Sequence, residues 1–106
     1  MQWISRWFKP GEDADIDALE SQLYSEGFNA YQWKGTPGAA YLDYIHTQEE
    51  VVCVLSGTAD VSVGDECGQI QAGDRVDVPA NTYHSITVTS EEPLVVLTGM
   101  RHRSET

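Results

Sequence analysis

Basic residues are scarce in this chain. Six lysines and arginines stand against 17 aspartates and glutamates, for a net charge of −11. A surface of that sign repels phosphate backbones and anionic lipid, which argues against nucleic acid and membrane as partners. The acidity reads as a solvating surface. Long apolar runs are missing too, so no segment is suited to span a bilayer as a helix. The first residues, "MQWISRWFKPGEDAD", lack the apolar core and small-residue cleavage site of a secretory signal, and a cytoplasmic location is expected. Cysteine is nearly absent. Cys53 and Cys67 are the two present, too few for a disulfide framework, and free thiols in a reducing compartment are expected. Internal repeats and low-complexity segments are also lacking. The 106 residues suit one domain with one core.

What is present divides unequally. Residues 14–27, "ADIDALESQLYSEG", predict one helix. Asp13 or Asp15 serves as its N-cap, Ile16, Leu19 and Leu23 share a face, and Gly27 suits its C-terminal end. Ahead of it, Trp3, Ile4, Trp7 and Phe8 make an aromatic arm compatible with a strand. Residues 1–37 are therefore read as arm and helix. From residue 38 to about 100 the pattern changes to short strands, near 39–46, 50–56, 58–63, 69–72, 75–78, 83–89 and 94–100. Gly57, "GDECG", "AGD", "PANT" and "SEEP" separate most of them. Many short strands at even spacing predict an all-β fold, an antiparallel barrel or jelly roll with a short N-terminal helix.

Three charged or titratable residues interrupt the apolar pattern. In "EEVVCVLSG", alternation puts Glu50 with Val52 and Val54 on one face, and Val51, Cys53 and Leu55 on the other. Both faces are apolar, so both are expected to be covered. An inward Glu50 needs a cation or several hydrogen-bond donors. Tyr44 and His46 share a face of the preceding strand. A three-residue connection, Thr47 to Glu49, is the length of a hairpin loop and would set His46 beside Glu50 on paired strands. His84 opens an inward row with Ile86 and Val88, and is either a hydrogen-bonded core histidine or a ligand. Glu49 is expected in the solvated connection, Asp74 and Asp77 at turn and surface, Cys53 on the outer face, Cys67 in a turn without a neighbouring base, and His102 in a solvated tail.

These residues resemble the cupin superfamily. Its first motif, G-x5-H-x-H-x3,4-E-x6-G, is met at His46, Glu50 and Gly57. Its second, G-x5-P-x-G-x2-H-x3-N, is met at Gly73, Pro79 and His84. The 15 residues between Gly57 and Gly73 suit the spacer of small cupins. Departures are specific: Tyr44 stands where the first histidine of the first motif would be, Asn81 where the second motif has glycine, and Val88 where it closes on asparagine. The resemblance implies a cupin barrel over roughly residues 38–98. It implies a metal held by His46, Glu50 and His84, a ligand set suited to iron, manganese, nickel or zinc.

Tyr44 then reads either as a hydrogen-bond or proton donor at the site, or an occasional ligand, or as an aromatic wall. Without a metal, His46 and Glu50 would form a buried pair. The functional expectation is a metal-dependent enzyme acting on a small organic acid or an oxygenated aromatic. The alternatives are a non-catalytic barrel that binds a small molecule as sensor or carrier, with or without metal, and an interaction module filled by its own side chains. The outward row of Val51, Cys53 and Leu55, together with the aromatic arm, predicts a homodimer that hides it.

Overall fold

The computed structural model describes residues 3–9 and 14–101. Among these residues nine strands and one helix follow in the order β1 (Ile4–Arg6), α1 (Ile16–Ser25), β2 (Tyr31–Gly35), β3 (Ala40–Tyr44), β4 (Glu49–Ser56), β5 (Thr58–Val63), β6 (Glu66–Gln71), β7 (Asp74–Val78), β8 (His84–Val88) and β9 (Leu94–Arg101). They form two antiparallel sheets, ordered β1-β7-β4-β9-β2 and β3-β8-β5-β6. Among the described residues no ladder joins the sheets, so the expected barrel or jelly roll takes the open, jelly-roll form.

Period-2 alternation places the core. Val52 and Val54 of β4, Val76 and Val78 of β7, and Leu94 and Val96 of β9 turn inward from the five-stranded sheet. Ala59, Val61 and Val63 of β5, Ile70 of β6 and Val88 of β8 meet them from the other. Alternate residues line one face, so Glu50 at the head of β4 points the same way as Val52 and Val54.

The outer face of the five-stranded sheet is covered by the chain itself. Val51, Cys53 and Leu97 are at most 1% exposed, under Leu23 of α1, Phe28, and the partly buried Trp7 and Leu19. The row assigned to a partner subunit is thus hidden by α1. Apolar surface is satisfied by any apolar cover, and a helix linked to the same chain supplies it at high effective concentration. Asp15 is the cap that holds, accepting from Ala18 N at 3.1 Å; the other candidate, Asp13, lies outside the described residues. Arg75 of β7 locks the helix end to the sheet. Its guanidinium donates to both carboxylate oxygens of Glu26, at 2.8 and 2.7 Å, and to Asp77, and lies over the Trp7 ring.

Two expectations about chain path are corrected. Residues 31–35, given no element by the sequence, form β2 and pair with β9. Strands β3 and β4 are not a hairpin: β3 pairs with β8 in one sheet, and β4 lies between β7 and β9 in the other. The connection after Tyr44 instead crosses from sheet to sheet. Gly57, which ends β4, sits at φ 85°, and a Cβ there would lie 2.7 Å from the Pro93 carbonyl oxygen. Only glycine fits both the angle and the space.

Candidate metal centre

The crossing connection and the two sheets converge on one end of the sandwich. Glu50 comes from β4, paired across to Val78 on one side and Met100 on the other. His84 opens β8, with Tyr44 opposite it on β3. His46 follows β3 on the crossing connection. Its carbonyl accepts from Asn81 N at 2.7 Å, which ties that connection to the loop before His84. Asn81 has φ 59°. It therefore takes the left-handed conformation for which the second cupin motif uses glycine, and asparagine is the residue best able to replace glycine there.

One ligand atom from each of His46, Glu50 and His84 lies within 4.8 Å of the others. His84 Nε2 is 3.0 Å from Glu50 Oε1, and His46 Nε2 is 3.9 Å from the same oxygen. The two imidazole rings are 5.0 Å apart. His84 and Glu50 are nearly buried, with side chains 7% and 12% exposed, while His46 is at 32%. The His84 ring is fixed at its other nitrogen, where Nδ1 donates to the Thr82 carbonyl at 3.1 Å. With an acceptor at each nitrogen, the hydrogen bond to Glu50 above all raises the His84 pKa; burial opposes it and the Thr82 carbonyl adds to it.

The donor chemistry fits a divalent transition ion. Two imidazole nitrogens and one carboxylate oxygen are borderline ligands, bound at about 2.0–2.2 Å. Ligands at that radius lie roughly 3–4 Å apart, so small side-chain rotations close the set around an ion. The bond from Nδ1 to Thr82 already selects the tautomer that leaves Nε2 free to bind once its proton is displaced.

The cluster faces a cavity of about 330 Å³ that opens to solvent. Tyr44 lines it, 48% exposed at the rim, with its ring 6.4 Å from that of His84. Tyr41 lines it as well, although residues three apart on a regular strand face opposite ways. A bulge reconciles them: the register shifts between Tyr41 and Tyr44, and Asp43 between them has φ 57°.

Sequence reasoning passed over other cavity residues. Thr98 is buried and donates to the Val51 carbonyl at 2.8 Å, with Glu50 Oε2 at 3.4 Å. Its shared parity with Val96 and Met100 was the available signal. Tyr31 and Trp33 come from β2, the strand the sequence did not declare. Burial and the charge of Glu50 raise the Tyr31 pKa.

The remaining candidates lie elsewhere. Glu49 begins β4 and binds Arg101 at 3.0 Å, where a free solvated connection was expected. Asp74 is buried, accepting from Gln71 N and paired with Arg6; a tight turn needs that acceptor. Asp77 grips Arg75. Cys53 packs under α1, and burial pushes its thiol up to about 12. Cys67 is free and exposed on β6. His102 lies outside the described residues.

Comparison with known proteins matches the family described as Cupin domain to residues 33–100. An uncharacterized protein of Streptomyces coelicolor is 40% identical over 52 residues, which are 49% of this chain and 50% of that one. The chain thus matches about half of that relative's length. The DMSP lyase DddQ of Ruegeria pomeroyi superposes with a TM-score of 0.65 at 27% identity, covering 76% of this chain and 41% of the lyase. The Cnp3 cupin domain of Schizosaccharomyces pombe gives 0.68 at 17% identity, covering 97% of this chain and 67% of that one. At that identity it speaks to the fold alone.

Proposed function

Because this chain belongs to the Cupin domain family, we propose that its cavity holds one divalent transition metal at His46, Glu50 and His84 and uses it to bind a small oxygen-bearing molecule, as an enzyme on a small organic acid or an oxygenated aromatic. The observation that carries this is the convergence of two imidazoles and a carboxylate at the head of an aromatic-walled cavity. The metal, iron, manganese, nickel or zinc, supplies a Lewis acid that polarises an oxygen of the bound molecule. Glu50 brings the negative charge, with the Thr98 hydroxyl 3.4 Å from its carboxylate. The two histidines bind as neutral imidazoles. Tyr44 at the rim donates a hydrogen bond or a proton to the ligand's oxygen. The aromatic walls exclude water from one side of it. A lyase reaction is the form this takes if the likeness to the DMSP lyase extends to chemistry.

A second reading has its own observation. His84 and Glu50 already bond directly at 3.0 Å, and among the described residues no buried side-chain nitrogen or oxygen lacks a partner. A non-catalytic barrel that binds a small molecule without metal needs nothing more. Metal analysis separates the two. After dialysis against each ion in turn, the first reading expects one equivalent of metal, lost in His84→Ala and Glu50→Gln while circular dichroism stays native. The second expects negligible metal, and a lower melting temperature for His84→Ala from the lost buried hydrogen bond.

Other features of the reading follow the charge and the thiols. No described helix is long and apolar enough to cross a membrane. We place the protein, as a single domain, in the cytoplasm, where the free thiols of Cys53 and Cys67 stay reduced; α1 covers the row that suggested a homodimer, so that assembly rests on the remaining aromatic arm alone. The net charge of −11 argues against nucleic acid and anionic membranes as partners.

A further inference from the structure

We propose that the cavity selects a monoanion with a flat, uncharged body, of which an aromatic monocarboxylate is the chemical class. The inference rests on the metal reading above and adds what the rest of the cavity demands. A divalent ion with one carboxylate and two neutral imidazoles keeps a single net positive charge. That charge matches one anionic oxygen group. No lysine or arginine among the described residues lines the cavity. A second anionic group on the ligand would be desolvated there without a partner, within a chain of net charge −11. Dicarboxylates and phosphorylated compounds are thereby disfavoured.

The walls define the body. Tyr31 and Trp33 stand on β2, at the edge of one sheet, and Tyr41 and Tyr44 on β3, at the edge of the other. Among the described residues no backbone ladder joins these edges. The rings of Trp33 and Tyr41 meet edge to face instead, 4.8 Å apart at 75°. Beneath them Val52 and Val96 are nearly inaccessible, so the inner wall there is aliphatic. Planar rings offer flat faces and polarised edges, which suit an aromatic body. Aromatic walls also hold organic cations. Here the one carboxylate that lines the cavity among the described residues, Glu50, is taken up by the metal, and the net positive charge left on the site repels a cationic body. A cavity of about 330 Å³ sits near the small end of ligand pockets, which fits a single ring with its carboxylate.

The test uses the full chain loaded with Zn(II), with metal content measured on every sample. Benzoate, cyclohexanecarboxylate, succinate and betaine are titrated by calorimetry and by tryptophan fluorescence. Benzoate is expected to bind tightest, with succinate and betaine weaker by roughly tenfold or more, from an unpaired or repelled charge. Trp33→Leu keeps apolar bulk and should keep its metal, yet lose roughly three- to tenfold in benzoate affinity. Trp33→Phe should recover most of that loss. A zinc-loaded protein that binds succinate or betaine as tightly as benzoate overturns this inference alone. So does unchanged benzoate binding in metal-loaded Trp33→Leu. A chain that takes up no metal overturns the metal reading, and this one with it, and the metal assay identifies that case by itself.

Discussion

Replacing Glu26 with glutamine should weaken the clasp between α1 and the five-stranded sheet and change how stability depends on pH. Glu26 accepts two charge-assisted bonds from Arg75, at 2.8 and 2.7 Å, and that pairing first of all lowers its pKa from 4.5 to about 2. A carboxylate whose folded pKa is depressed contributes stability that is complete above its unfolded value. The contribution is lost as pH falls from about 4.5 toward 2. Taken at face value, a shift of that size is worth about 3 kcal/mol. The Glu26 side chain is 26% exposed, and Arg75 keeps Asp77 as a second partner. Solvent screening therefore reduces the figure to roughly 1–2 kcal/mol. For a chain of this size each kilocalorie shifts the melting temperature by about 4–8 °C. Glu26→Gln should thus melt several degrees below the parent at pH 7. The gap should narrow as pH drops below 4.5 and nearly close near pH 2. Melting curves by circular dichroism in half-unit pH steps provide the assay. Taking the difference between the two proteins cancels the other carboxylates. A gap that stays constant from pH 7 to 2 would refute the reasoning, because the pair would then contribute by packing and not by charge.

Three more outcomes are expected. Tyr44→His should tighten metal binding by aiming a further imidazole at the ion, whereas Tyr44→Phe should leave it nearly unchanged, as read by competitive chelator titration; a histidine variant no tighter than the parent would mean that Tyr44 does not address the metal. Gly57→Ala should cost about 1–3 kcal/mol, since it strains a φ of 85° and drives a methyl against the Pro93 carbonyl, and a denaturant melt within 0.5 kcal/mol of the parent would count against the turn as described. Light scattering at micromolar concentration tests whether the aromatic arm still calls for a partner now that α1 covers the Val51 and Cys53 row: twice the 11.7 kDa chain mass is the homodimer's outcome, and a clean monomer would remove it.

What could be read beforehand was what repeats locally. Period 2 put Glu50 with Val52 and Val54 and His84 with Val88 on the core side, and the 3.6 period with an aspartate cap placed α1 to within two residues at each end. What could not be read depends on partners distant in sequence. The length of the Thr47–Glu49 connection fits a hairpin, but length does not say which strand lies alongside, and β4 takes β7 and β9. Strand β2 does alternate, with Tyr31 and Trp33 set against Gln32 and Lys34, but it is five residues long with three of them exposed, too short and too open a pattern to stand out beside the longer apolar strands. The row of Val51 and Cys53 is legibly apolar and in need of cover, while the source of the cover, α1, is a matter of docking. The Asp43 bulge, which brings Tyr41 and Tyr44 to one cavity, turns on one residue at positive φ, a conformation that an aspartate in the sequence permits but does not announce.

The three residues of the candidate centre have unequal histories during folding. His46 and Glu50 are four positions apart and remain near each other in any conformation. His84 is 34 residues beyond Glu50, on the opposing sheet. Of these three, an unfolded chain therefore keeps two near each other, and only the closed sandwich brings all three together. By mass action, an ion that prefers the folded form stabilises it by RT ln(1 + [M]/Kd), about 2.7 kcal/mol at a hundredfold excess over Kd. That stabilisation acts as a clamp between the sheets. The site would load only after the sheets have met, and its slowest metal loss would track their separation. Its occupancy would therefore also report on how long the chain stays closed.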